Sequence, residues 1–257
     1  MNTKTTNMSQ ILLNKVPQVV LLFWIIKILS TTVGETAADF LAVDLNFGLV
    51  NTSWIMFALL GSALVYQIRQ VQYIPWLYWL NVVLISVVGT LVTDNLVDNM
   101  GVSLETATAG FSIALLLTFG LWYRAEKTLD IQFINTRKRE LYYWLTILFT
   151  FALGTAAGDL LAESLGLGYA NSLILFGTAI ALIAIAHFKW HLNGIFSFWL
   201  VYILTRPLGA YLGDYLSQDV VNGGLGIGAA YTSAGFLTVI LLGVVFSTVT
   251  APKPKFE

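Results

Sequence analysis

The sequence has no cysteine and only two histidines. Asp, Glu, Lys and Arg make up 11% of its 257 residues, where a soluble domain carries about a quarter. Without cysteine there are no disulfides, thiolate metal sites or thiol nucleophiles. A net charge of -1 with no basic stripe gives no footprint for nucleic acid, which is not an expected partner. What is present is apolar: 57% of residues are hydrophobic and the mean hydropathy is +0.78. That character runs along the whole chain, as in an all-α polytopic membrane protein. The first apolar run, from Val16, is long, contains Lys27 and precedes no small-x-small site. It is therefore expected to be retained rather than cleaved as a signal peptide.

Runs of about 20 apolar residues are long enough to cross the hydrocarbon. They predict eight spans, at 17–42, 50–68, 75–97, 105–123, 140–162, 171–188, 193–216 and 226–249. Pro17 and Pro75 are placed in helix first turns, where the missing N–H costs nothing. Lys4, Lys15, Arg69, Arg124, Lys127, Arg137, Lys138, Arg139, Lys189, Lys253 and Lys255 all fall on one side of this arrangement. The opposite loops, near 43–50, 98–104, 163–170 and 217–225, hold no Lys or Arg. The positive-inside rule makes the basic side cytoplasmic and puts both termini there. A segment 1–16 and a tail 251–257 then flank one membrane domain, 17–250.

The domain is repetitive. Four segments open with an aromatic pair: Phe23-Trp24, Tyr78-Trp79, Tyr143-Trp144 and Phe198-Trp199. Ten residues after each Trp stands a glycine: Gly34, Gly89, Gly154, Gly209. Fifteen after each Trp stands an aspartate, preceded by a small residue: Asp39, Asp94, Asp159, Asp214. Repeats one and three share further residues, Gly48 with Gly168 and Asn51 with Asn171, so the order reads A-B-A′-B′. Each repeat (about 17–70, 72–124, 138–190 and 192–250) carries two spans, so every motif helix crosses in the same direction. The repeats are parallel and related by an axis along the membrane normal. These tryptophans, with their linked Gly and Asp, resemble a family of bacterial integral membrane proteins built from four tandem two-span repeats of unknown function. The resemblance covers most of the chain and implies the topology and a bacterial plasma membrane. It implies no activity and no cofactor.

On a helix of 100° per residue, with Trp at 0°, Gly falls at about 280°, the small residue at about 320° and Asp at about 60°. The Gly and the small residue form a small-xxx-small seam for close helix approach. The four motif helices are expected to pack through this seam, with the second helix of each repeat facing lipid. Lys27, Thr31, Glu35 and Asp39 follow at i, i+4, i+8 and i+12, one drifting stripe. Arg206 takes the Thr31 position in repeat four. A charge at mid-membrane costs about 2.5–3.5 kcal/mol on insertion scales, so such residues face an interior, pair, or touch water.

Two readings fit each feature. The four Asp form a cation-attracting ring at the mouth of a path, or they bond neighbouring backbone at helix ends. Lys27, Glu35 and Arg206 form a substrate or proton-coupling site, or an ion-pair network that fixes packing. Only repeat one has Lys and Glu and only repeat four has Arg, as a single asymmetric site on a symmetric frame requires. Trp24, Trp79, Trp144 and Trp199 line an inner vestibule or anchor at the interface. His187 and His191, with Lys189 between them, read as a solvated pair rather than metal ligands. The run GGLGIG at 223–228 reads as a loop, since it precedes no Lys-Ser or Lys-Thr pair. The expected function is transport of a small cation or a proton-coupled solute, with Asp and Glu suiting hard divalent metals over copper or zinc. The alternative is a non-transporting sensor or assembly module. An intramembrane enzyme is the third reading: no nucleophile–base spacing stands out, and an acidic dyad between Asp residues of neighbouring repeats is its one candidate.

Overall fold

The computed structural model describes residues 14–250, and for 163–165 and 250 the backbone alone. Lys4, Lys253, Lys255 and the tail 251–257 lie outside the described residues, as does the Glu163 side chain. Eight helices form where the apolar runs stand. They are α1 (Leu21–Asp39), α2 (Gly48–Arg69), α3 (Pro75–Asp94), α4 (Leu104–Glu126), α5 (Arg137–Leu165), α6 (Gly168–Trp190), α7 (Gly194–Ser217) and α8 (Ala229–Thr250). Each is long and apolar enough to cross a membrane, and no strand occurs among the described residues. The chain is a multi-pass membrane protein with basic loops at one end and acidic ones at the other. α1 and α3 each continue, directly after the motif Asp, into a π turn: Phe40–Asp44 and Asn95–Asn99.

Pro75 is the first residue of α3, as expected. Pro17 is not in a helix, because α1 starts only at Leu21. The reason is Lys15. Its backbone N–H donates to the Ile134 carbonyl, and its Nζ reaches Glu140 at 2.6 Å and the Ile68 carbonyl at 3.2 Å. Gln67 donates to the other Glu140 oxygen at 3.1 Å. These bonds draw residues 14–17 across the basic end, away from the α1 axis.

The four motif helices α1, α3, α5 and α7 form a closed ring in which each packs on the next and α7 returns to α1. About half of the apolar stretch of each is buried, 50–56%, against 11–22% for the other four helices. These outer helices do not pack chiefly on their own repeats. α2 packs on α3, α4 on α5, α6 on α7, and α8 closes the circle on α1. Each repeat therefore straps the next.

The glycines explain the tight ring. A Cβ on Gly34 would overlap the Ser86 side chain; on Gly89 it would meet Phe151 Cβ; on Gly154, Arg206 Cβ; on Gly209, the Thr31 side chain. Each contacted residue stands seven after its own Trp, so one contact recurs four times round the ring. We expect Gly209→Val to lower the melting temperature of the detergent-solubilised protein, at an overpacking cost of about 1–3 kcal/mol. Gly61 on α2 has open space where its Cβ would stand, so Gly61→Ala should leave the melting temperature unchanged or slightly raised. Equal effects of the two variants would contradict this packing.

Candidate functional site

The ring interior is filled in layers, starting at the basic end. The aromatic residue before each Trp packs against the Trp of the next motif helix. Ring centroids are 5.5 Å apart for Phe23–Trp79, 5.4 Å for Tyr78–Trp144, 6.4 Å for Tyr143–Trp199 and 5.5 Å for Phe198–Trp24. Tyr78 and Tyr143 also share a hydroxyl hydrogen bond of 2.5 Å. Trp79, Trp144 and Trp199 are buried and Trp24 is half-buried. The four aromatic pairs form a packed plug, in which three of the four indoles are buried. Each indole is covered by the aromatic residue of the preceding motif helix, and Trp199 also lies against Phe119 and Trp122 of α4 and donates its Nε1–H to the Leu129 carbonyl. The exposed tryptophans are instead Trp54, Trp76 and Trp190.

Next comes Lys27, which has no exposed surface. From α1 its Nζ crosses the ring to lie 4.3 Å from the Phe151 ring centroid on α5 and 4.3 Å from that of Tyr202 on α7. It donates a hydrogen bond to Thr205 Oγ1 at 3.2 Å. Among the described residues no carboxylate lies within ion-pairing distance of it. Thr31 donates to the Thr205 carbonyl at 3.2 Å, beside the Gly209 contact.

Above this, Arg206 crosses the other diagonal, from α7 to α3. Its Nη2 donates to Glu35 Oε2 at 2.7 Å and approaches Thr90 Oγ1 at 2.6 Å. Thr90 in turn donates to Glu35 Oε2 at 3.2 Å. Arg206 is buried while Glu35 keeps 16% of its side chain exposed, so this ion pair is accessible from the Glu35 side. Arg206 Nε has no partner. Pro207 follows directly inside α7; lacking an N–H, it leaves the Ile203 carbonyl without its helical donor.

At the acidic end the four motif aspartates are half-buried. Asp39, Asp94 and Asp214 each feel the charges of Glu35, Asp159 and Arg206, and Tyr211 donates to Asp159 at 3.3 Å. Five carboxylates thus share one electrostatic neighbourhood with one guanidinium. Among the described residues, no three His, Cys, Asp or Glu side chains are grouped to hold a metal ion.

The structure therefore brings Glu35, Arg206 and the four Asp together and sets Lys27 apart. Lys27 and Glu35 are eight residues apart on α1, about 12 Å along its axis. Thr90, Phe151, Tyr202 and Thr205 complete the interior contacts. The spacing from each Trp marks their places in the repeat, but no sequence signal showed the two diagonal crossings. His187 turns its Nδ1 to the Leu192 carbonyl at 2.8 Å, and His191 caps α6 with a left-handed backbone.

A closed ring of four helix pairs, with buried charge in its interior, basic loops at one end and acidic loops at the other, defines a class: a tandem-repeat integral membrane protein. The chain belongs to the family described as Repeat of Unknown Function (DUF347), whose profile matches residues 22–73, 77–128, 142–191 and 197–251. No curated protein and no solved structure matches the chain.

Proposed function

We propose that the protein is a membrane transporter for a small cation or a proton-coupled solute, with its path along the axis of the motif-helix ring. In this reading the basic end faces the cytoplasm of a bacterial cell, by the positive-inside rule. The acidic end opens outward and the aromatic plug is the closed inner gate. The observation that carries the reading is the Glu35–Arg206–Thr90 cluster. It is one partly exposed ion pair below the level of the four motif aspartates, and it breaks the symmetry of an otherwise repeated frame. The carboxylates concentrate cations at the mouth. Glu35, with its exposed side, is the group that a cation or proton reaches first below the aspartate level. The carboxylates are not grouped for bare-metal chelation, which favours a hydrated cation, a proton or a solute with its own hydrogen-bond donors over a stripped divalent metal.

The test is flux in proteoliposomes carrying an internal pH dye, with imposed cation and proton gradients. Glu35→Gln keeps an acceptor for Arg206 but loses the charge. It should cut flux about tenfold or more, equivalent to ~1.4 kcal/mol of lost interaction, in protein still folded at the assay temperature, although the buried guanidinium left without its counter-charge lowers the melting temperature. Asp39→Asn should lower flux as well. Wild-type flux in both variants overturns the proposal.

A second reading, a non-transporting sensor or assembly module, is favoured by the packing below Glu35, where Lys27, Thr31, Ser86 and Thr205 have no exposed surface. It requires that no gradient of any tested ion dissipates faster than in empty liposomes.

A further inference from the structure

The basic end of the ring carries a cover that the fourfold frame does not repeat. The interval from Trp79 to Trp144 is ten residues longer than the two other intervals between motif tryptophans. The added length forms the loop 127–136 between α4 and α5. A strap, residues 14–16, precedes α1 and is bonded to this loop. On the reading of the aromatic plug as the inner gate, we infer that strap and loop form a latched cover over the plug. The Lys15–Glu140 ion pair is the catch, and release of Lys15 frees the plug to open.

The cover is fastened to all four sides of the ring. The Lys15 N–H donates to the Ile134 carbonyl at 2.9 Å, and the Ile134 N–H donates to Asn14 Oδ1 at 3.0 Å. Lys15 Nζ reaches past the loop to Glu140 on α5 and to the Ile68 carbonyl on α2. Gln67 of α2 holds the second Glu140 oxygen. Since α2 packs on α3, this one carboxylate ties the α3 and α5 sides together. On the α7 side, Trp199 donates to the Leu129 carbonyl of the loop. The strap itself leads into α1.

The underside of the cover is apolar. Val16, Ile131 and Ile134 are buried, in one continuous hydrophobic cluster with Tyr78, Trp79, Tyr143, Trp144 and Trp199 of the plug. Glu140 stands about one helical turn before Tyr143 and Trp144 on α5, so a shift at the catch reaches the plug directly.

The hold depends on a charge. When one member of a buried pair is withdrawn, the other is left uncompensated, which is strongly unfavourable. With Lys15 gone, Glu140 draws water in, and the three segments that meet on it part. Between the strap and α1, Gln18, Val19 and Val20 are exposed, so the strap can swing without unpacking the motif helix. Closing this end needs no such catch. Residues 70–74 join α2 to α3, and 191–193 join α6 to α7, as short connections with no ion pair of their own among the described residues. The catch is present once, where the two halves of the chain meet.

The chain has no cysteine, so a single introduced thiol reports on one place. Val82 stands on α3 at the Lys27 position, just inside the plug, and has no exposed surface; Ser172, on α6 toward the acidic end, is equally buried. The experiment measures how fast N-ethylmaleimide modifies Val82→Cys and, separately, Ser172→Cys in the full-length protein in detergent, read by intact mass. Lys15→Met keeps the length of the stem and removes the catch. It should speed modification at position 82 about tenfold or more and leave position 172 within about twofold of the parent rate. Asn14→Ala cuts the strap from Ile134 without stranding a charge and should speed position 82 about threefold; it carries the test if the Lys15→Met chain does not fold. An unchanged rate at position 82 in the variants that fold overturns the inference. So does an equal rise at positions 82 and 172, which is general loosening and not the opening of a cover. Modification needs no flux. Faster modification at position 82 in a protein that dissipates no gradient leaves the cover standing and sinks the transport reading. Flux with no change at position 82 sinks the cover alone.

Discussion

Arg206→Met is expected to lower the melting temperature by on the order of 10 °C, and adding Glu35→Met to recover most of that loss. The single change strips Glu35 of its 2.7 Å partner and leaves a carboxylate below the aspartate level, facing four more. Removing one member of a buried pair typically costs about 3–5 kcal/mol, whereas replacing both members by apolar side chains is often neutral or stabilising. For a protein of this size each kcal/mol moves the midpoint by roughly 2–4 °C. The site is not fully buried on the Glu35 side, so the lower part of the range is the better expectation. Arg206→Lys should fall between: an ammonium can reach Glu35 but does not reproduce the planar fork that also holds Thr90. Additive losses in the double variant, measured by thermal unfolding in detergent, would mean that Glu35 and Arg206 are not energetically coupled.

That coupling also marks the limit of what the helical wheel reveals. The eight spans, the parallel repeats and the Gly seam follow from apolar length and from a spacing repeated four times, because each depends on positions along one helix. Which outer helix packs on which motif helix depends on the connection between helices. The short turn after α1 sends α2 outward to pack on α3 instead of back on α1, and no periodicity within α2 records that choice. The start of α1 at Leu21 departs from the sequence expectation for a similar reason. Pro17 suits a helix first turn, but the buried Lys15–Glu140 pair, side chains 5% and 1% exposed, joins residues 125 positions apart and draws the chain off the axis.

The site was legible in its membership and not in its pairing. The stripe of Lys27, Thr31, Glu35 and Asp39 correctly gathers the charges on one sector of α1. It also places Lys27 and Glu35 together, whereas a lysine stem spans the ring as easily as it follows its own helix. Lys27 therefore finds Phe151 and Tyr202, and Glu35 is left to Arg206 from the opposite wall. The tryptophans show the same limit. Their burial comes from the neighbouring repeat, and the period of one helix holds no trace of it.

Lys27 separates a structural charge from a functional one most sharply. Its Nζ has one hydroxyl partner and two aromatic faces. A desolvated cation–π contact is worth about 2 kcal/mol, less than the several kcal/mol that burying an ammonium costs. Lys27→Met keeps the length of the stem, removes the charge and sets a thioether against the two rings, a contact that is itself favourable. The equivalent positions Val82 and Ile147 show that the frame accepts an apolar side chain there. The melting temperature of Lys27→Met should therefore match or exceed the wild type. Lys27→Ala should lose about 2–5 kcal/mol, because the stem leaves a cavity between Phe151 and Tyr202. The decisive result is the order, methionine at or above lysine and lysine above alanine. If methionine falls as far as alanine, the charge itself holds the ring through Thr205 and the two aromatic faces. If methionine stabilises the fold while flux is lost, the lysine is kept at a cost to stability, as expected of a group retained for function.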